Sequence, residues 1–336
     1  MEENIYVKQF PSLMEGKTIL YVHGFGSSGQ SGTVARLRTV LPRARVVAPD
    51  LPLHPSEAME LLRRVCQAEQ PALIIGTSMG GMYAEMLTGF DRILVNPAFG
   101  IADTMGEHGL TGKQQFFSPR QDGVQEFYVD KALVKEYRAA SEQNFAHAGD
   151  AGEQQHVFGL FGDEDELTHT RPFFEQHYSQ AIPFHGGHRL NDQSFMHAVV
   201  PVVRWIDDRQ ERRERPIVYI GVETLADSRG LPASSMQKAV RQLIERYQVY
   251  FVATTLSTHS ALRTTYLEVQ EWLEHHIGVP AWRHIISTYR RDLLYGDYLV
   301  SKRKEGDTMA TLLQLGSDTF KTWEDIIEYF TRLGGQ

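Results

Sequence analysis

The apolar positions of this chain fall into short runs separated by amphipathic stretches. From residue 18 to about 206, "TILYVHG", "RVVAPD", "ALIIG", "RILVNP" and "QHVFGLFG" are strand-length apolar segments that close on Gly, Pro or Asp. Segments apolar at successive positions, rather than at alternate ones, suit strands covered on both faces. Their alternation with helical periodicity predicts a parallel α/β sheet. After "VVPVVRWIDD" comes "RQERRER", where acids interrupt the basic residues as in a solvated helix end and linker. The pattern then restarts with "PIVYIGV", a helix around residues 234–247 and the strand "VYFVATT". This restart predicts two domains, residues 1–210 and a smaller α/β domain over 216–336, with no tandem repeat or low-complexity tract in either.

One junction in the first pattern carries chemistry. "LIIGTSMGG", residues 73–81, sets Ser78 between two glycines where a strand hands over to a helix. A serine nucleophile on a strained strand-to-helix turn needs this arrangement, because Gly76 and Gly80 remove side chains that would collide there. The bland alternative is a serine that only caps the helix. The helix start adds the N–H of Met79, aimed at developing negative charge. A second donor is expected from the loop after an earlier strand, "ILYVHGFGSSGQSG", where Gly24 and Gly26 free the backbone and the N–H of Phe25 is the candidate. His23 in that loop precedes Ser78, contrary to the Ser, acid, His order of such folds, and is read as structural.

An acid and a histidine must then follow. "HVFGLFGDEDEL" ends a strand in an acidic loop that offers Asp163 and Asp165, and "AIPFHGGHRL" ends the next with His185 and His188. All three residue types in the required order point to a serine hydrolase.

Composition narrows the partners. At 336 residues the chain is long enough for two cores; 42% hydrophobic and 23% charged residues describe an ordinary globular protein. No apolar stretch approaches the roughly 20 residues that span a bilayer, and the start shows no basic segment followed by an apolar core, so neither membrane span nor signal peptide is expected. A single cysteine, Cys66, excludes an internal disulfide framework and makes a reducing, cytoplasmic setting the default. The formal charge of −8 argues against nucleic acid as a partner. A small-molecule substrate is expected, with no cofactor.

"YVHGFGSSGQS", "GTSMGGMYA", "VNPA", "TGKQQF", "GDEDEL" and "GGH" together resemble the small bacterial esterases of the YqiA-like α/β-hydrolase family, over about residues 17–207. The resemblance implies hydrolysis of carboxylic esters or acyl thioesters, with Ser78 as nucleophile, His188 as base and, as the acid before "EL", Asp165. Asp163 stays the alternative acid. Residues 100–154 are a longer connection than such minimal enzymes need, and Phe116, Phe117, Phe127 and Tyr128 in it either line an acyl pocket or simply pack.

The second domain, over about residues 216–331, resembles the haloacid-dehalogenase-type nucleotidases through "STYRRDLLYGDYLVSKRKEGD" and "LLQLGSDTFKTWEDIIEYF". That family needs two aspartates, two residues apart, at the end of its first strand, and later acids for magnesium. Here Ile220 and Val222 stand at the first two positions and Ser301 and Lys302 at the later pair, which implies an inactive, metal-free domain. Thr254, Thr255 and Arg291 are left as a candidate set that would hold a phosphate without hydrolysing it; the leading expectation for this half is a structural or protein-partner-binding domain, with a phosphorylated ligand as the alternative. The competing readings are a non-enzymatic binding protein and a residual phosphatase.

Overall fold

The computed structural model describes residues 4, 6–227, 230–233, 235–254, 266–281, 283–304 and 308–333. The chain divides into two compact units, Met1–Glu211 and Arg212–Gln336.

In the first unit the strands are β1 (Thr18–Val22), β2 (Arg45–Val47), β3 (Leu73–Thr77), β4 (Arg92–Val95), β5 (Gly112–Gln115), β6 (Glu126–Val129), β7 (Val157–Glu164) and β8 (Ala181–Gly187). Six of them form one sheet in the order β2-β1-β3-β4-β7-β8, every neighbouring pair parallel. Parallel neighbours need crossovers, which helices such as Gly32–Val40 and Pro55–Glu69 supply. The latter starts with Pro at its first turn, buries Ala58, Met59, Leu62 and Cys66 at helical spacing, and stops where Gln70 turns left-handed at φ 42°. Burial pushes the Cys66 thiol up to about 11, so it is a packing residue rather than a reactive thiolate.

From β1 the chain steps outward to β2 and then returns to β3 on the other side. The carboxyl ends of β1 and β3 therefore border the crevice in which open α/β sheets bind ligands. Between β4 and β7 lies an insertion made of helix Ile101–Glu107, the antiparallel hairpin β5–β6 and helix Lys131–Ser141, the last capped by Asp130, which accepts the Leu133 N–H at 2.8 Å. The hydrophobic pattern shows this segment only as a long connection, because its hairpin strands are exposed at half their positions and carry charged or amide residues at half of them.

The second unit contains β9 (Ile217–Gly221), β10 (Gln248–Ala253), β11 (Ile285–Ser287), β12 (Tyr298–Ser301) and β13 (Thr311–Gln314). These form a parallel sheet in the order β11-β10-β9-β12-β13. Helices Met236–Arg246 and Trp323–Leu333 bury Val240, Leu243, Ile326 and Phe330 in one core with Val218, Ile220 and Phe251; Tyr219, Val252 and Leu299 face a smaller one. Among the described residues no helix is long and apolar enough to cross a membrane.

Candidate active site

Strand β3 is buried as far as Gly76, and the chain then reverses sharply at Ser78, whose φ of 55° and ψ of −121° are strained for a residue with a Cβ. Such a conformation costs about 1–3 kcal/mol and persists only where its surroundings over-determine it. They do so here. A Cβ at Gly76 would lie 2.2 Å from the Gly80 carbonyl oxygen, and one at Gly80 would lie 2.0 Å from that of Val22. The Ser78 N–H donates to Val95 O at 2.9 Å, and its carbonyl accepts the Ala98 N–H at 3.0 Å. The hydroxyl makes no capping bond to helix Met79–Glu85. It lies instead 3.0 Å from His188 Nε2.

His188 follows β8, and its Nδ1 lies 3.0 and 3.1 Å from the two carboxylate oxygens of Asp165. An ionised Asp165 takes the Nδ1–H, which leaves the Nε2 lone pair facing the Ser78 O–H. Asp165 is buried, with 6% exposure. Burial alone would raise its carboxyl, yet bonds from His188, from the Thr168 hydroxyl at 2.6 Å and from the Leu167 N–H at 2.8 Å outweigh it and hold the group below the usual carboxylate range. Asp163 sits within β7 instead. It accepts the Gly186 N–H at 2.9 Å and faces His185 Nδ1 at 3.2 Å, both side chains being about half exposed. The two acid–histidine pairs are thus separate, and only the Asp165–His188 pair reaches Ser78.

Asn96, just past β4, ties these strands together. From a left-handed backbone at φ 43°, its buried amide donates to the carbonyls of Gly187 at 3.1 Å and His188 at 3.2 Å, and accepts the Gly162 N–H at 2.8 Å. The short polar side chain before Pro97 was its only signal in the sequence, within "VNPA".

The loop after β1 passes close to the serine. A Cβ at Gly24 would lie 3.3 Å from Ser78 Cβ and 3.9 Å from its Oγ, so the backbone leading to Phe25 runs beside the hydroxyl. His23 fixes this loop: its Nδ1–H donates to Gly24 O at 2.9 Å and its Nε2 accepts the Leu51 N–H at 3.0 Å. Burial holds its pKa below the usual histidine range, as that neutral, acceptor-bearing state requires. Met79 opens its helix, where backbone N–H groups have no intrahelical acceptor. Both candidate donor residues are gripped by Tyr137 of the insertion, whose ring meets Phe25 edge-on at 5.9 Å and whose hydroxyl donates to Leu53 O at 2.9 Å and lies 3.3 Å from Met79 Sδ.

The four aromatics of the insertion divide. Phe127 packs edge-on against Phe25 at 5.3 Å and in a tilted stack against Phe116 at 4.5 Å, so Phe116 and Phe127 are packing residues next to the site. Phe117 is 64% exposed and Tyr128 66%. Phe117 is nonetheless held, its N–H donating to Gly26 O at 2.7 Å and its ring lying over Gly26, where a Cβ would meet it at 2.9 Å.

Residues 18–194, more than half of the chain, match the family described as "Uncharacterised protein family (UPF0227)". The chain belongs to this family. The match ends before the second unit begins. A curated relative from Vibrio phage KVP40, named putative 5'(3')-deoxyribonucleotidase, is 29% identical over 63 residues, which is 18% of this chain and 37% of that protein's length. Solved structures similar to this UPF0227 member include Est1E from Butyrivibrio proteoclasticus, at 15% identity and TM-score 0.42 over 60% of this chain and 91% of that one. The thioesterase domain from the curacin biosynthetic pathway is similar at 18% identity and TM-score 0.38, over 59% and 92%.

In the second unit of this UPF0227 member, Ile220 is fully buried in β9 and Ser301 ends β12. Arg291 is buried beside them. Its guanidinium makes a forked pair with Glu223 at 2.8 and 2.9 Å and donates to Ser301 Oγ at 3.0 Å and Thr254 Oγ1 at 3.2 Å. Burial would raise the Glu223 carboxyl, but Arg291 dominates and holds it below its ordinary range. The cation of the phosphate-binding set is therefore engaged by an internal carboxylate, Glu223; Thr255 lies outside the described residues. Among the described residues no group of three or more His, Cys, Asp or Glu side chains is placed to hold a metal ion.

Proposed function

We propose that the first unit is a serine hydrolase of carboxylic esters or acyl thioesters, working through an acyl-enzyme. The observation that carries this reading is the Ser78 Oγ to His188 Nε2 approach of 3.0 Å from a strained strand-to-helix turn, with Asp165 behind the imidazole. Ser78 Oγ attacks the acyl carbonyl carbon while His188 Nε2 takes its proton. Asp165 keeps the Nδ1–H tautomer and stabilises the imidazolium that forms. The N–H groups of Met79 and Phe25 receive the oxyanion, a stabilisation worth about 3–4 kcal/mol per donor in comparable sites. The intermediate collapses, His188 returns the proton to the departing oxygen or sulfur, and water then repeats the sequence on the acyl-serine.

For the second unit the same reading is a catalytically silent phosphatase-like domain. It is supported by apolar Ile220 and Val222 where such enzymes need paired carboxylates, and by the Glu223–Arg291 pair, which occupies the guanidinium that a phosphate would use.

Labelling with a fluorophosphonate, together with turnover of an activated ester, tests the first assignment. Wild-type protein is expected to label and turn over; Ser78→Ala is expected to do neither while keeping its far-ultraviolet circular dichroism. Substantial turnover by purified Ser78→Ala would overturn the assignment.

A further inference from the structure

Arg189 directly follows His188 and is exposed, yet its guanidinium is not adrift: it stacks 5.0 Å from the centre of the Phe117 ring. Phe117 is in turn seated on Gly26, two residues beyond the Gly24 that abuts Ser78. A planar cation is thus held on an aromatic face that is itself pinned to the candidate oxyanion loop, the loop whose Gly24 abuts Ser78. Among the described residues it makes no ion pair. In the neighbouring loop Asp163 is committed to His185 and the Gly186 N–H, and Asp165 to His188 and Thr168.

The side on which this cation stands follows from the chemistry. The imidazole that takes the Ser78 proton must deliver it to the leaving oxygen or sulfur, so the leaving group departs on the His188 side. Arg189 is the next residue. We infer that the site selects esters or thioesters whose leaving group carries an anion, a carboxylate or a phosphate, and that Arg189 stacked on Phe117 is the specificity-determining pair. The inference rests on the serine-hydrolase reading above. An exposed guanidinium paired with one anion in water discriminates modestly and in a salt-dependent way, so a preference of about two- to fivefold is expected at low ionic strength, shrinking as the Debye length falls below about 8 Å.

The test compares kcat/KM for four butyryl phenyl esters whose phenol carries a para carboxamide, carboxylate or phosphonate, or no substituent, and for the phenyl monoester of succinic acid, whose anion is on the acyl side. Because leaving groups differ in intrinsic reactivity, the readout is the anionic-to-neutral ratio in Arg189→Gln divided by that in wild type. It is expected to fall about two- to fivefold for the carboxylate, the phosphonate or both, which also tells the two anions apart. Phe117→Leu should reduce the ratio in the same direction, and Arg43→Gln, an exposed arginine paired with Glu15, should leave it unchanged. The succinate monoester should show no such fall. Turnover of the neutral ester with an unchanged ratio in Arg189→Gln overturns the inference alone, as does a fall confined to the acyl-side anion. Absence of Ser78-dependent turnover on every ester overturns the hydrolase reading itself.

Discussion

Replacing Asp165 by asparagine should cost about 10⁴ in rate, and the hydrogen bonds around the carboxylate say why. Oδ1 accepts two backbone N–H groups, from Leu167 at 2.8 Å and Thr168 at 3.1 Å, while Oδ2 faces the Thr168 hydroxyl at 2.6 Å and His188 Nδ1 at 3.0 Å. An asparagine must keep its carbonyl at the first position, because turning the NH₂ toward two N–H donors would leave buried groups unpaired at about 1–3 kcal/mol each. Its NH₂ then donates to Nδ1. That moves the imidazole proton to Nε2, aimed at Ser78, where a base is needed. The corresponding amide replacement in the serine-protease triad costs about 10⁴, equivalent to about 5.4 kcal/mol of activation free energy. Asp163→Asn keeps its bond from the Gly186 N–H and loses only a half-exposed pair with His185, so a change below about fivefold is expected. The assay is kcat/KM on one activated ester for both purified variants. A large loss at Asp163 with a small one at Asp165 would transfer the role, and equal modest losses at both would remove the acid from the mechanism.

Asn96→Ala should lower stability by about 2–4 kcal/mol, since it deletes three hydrogen bonds and leaves the Gly162 N–H without its acceptor, and should lower kcat at least about tenfold by loosening the His188 loop; unchanged urea midpoint and rate would refute that role. In the second unit the Glu223 carboxyl is held below its ordinary value of 4.5, so the unfolded chain binds its proton first as pH falls. The stabilisation is therefore complete above about pH 4.5 and is lost as pH drops through the folded-state value. Amide-exchange protection of β9 and β12 in Glu223→Gln should fall short of wild type by an amount that is largest near neutral pH and shrinks below about pH 4.5; a pH-independent difference would refute the linkage.

The six strands of the first sheet, and β9 and β10 of the second, were legible because parallel strands covered on two faces must be written as unbroken apolar runs; β11, β12 and β13, only three or four residues each, were not. The turn at Ser78 was legible for a steric reason, as contacts near 2 Å leave glycine alone at positions 76 and 80. What stayed open was the choice between two acids only two residues apart. Local sequence cannot settle which of them faces His188, because a register shift between Gly162 and Glu164 breaks the alternation of the β7–β8 pairing at that point. Asn96 and Glu223 were not assigned their present roles for a different reason. Each acts on groups brought near only by the fold, Asn96 on carbonyls 91 and 92 residues away and Glu223 on a guanidinium 68 residues away.

The insertion between β4 and β7 deserves its length on physical grounds. A parallel sheet positions Ser78, Asp165 and His188 from strand ends, which packing makes rigid. The two candidate oxyanion donors come from a loop and a helix start, which the sheet holds less firmly. Tyr137 supplies the missing constraint, clasping the Phe25 ring and the Met79 sulfur from one buried side chain, and Phe117 closes over Gly26 from the same segment. Donors aimed at a developing oxyanion are effective only if they need not reorganise at the moment of reaction. The segment that reads as the least regular part of the sequence is thus the one that holds the polarising half of the proposed site still, and it does so while presenting Phe117 and its stacked Arg189 to whatever leaves on the histidine side.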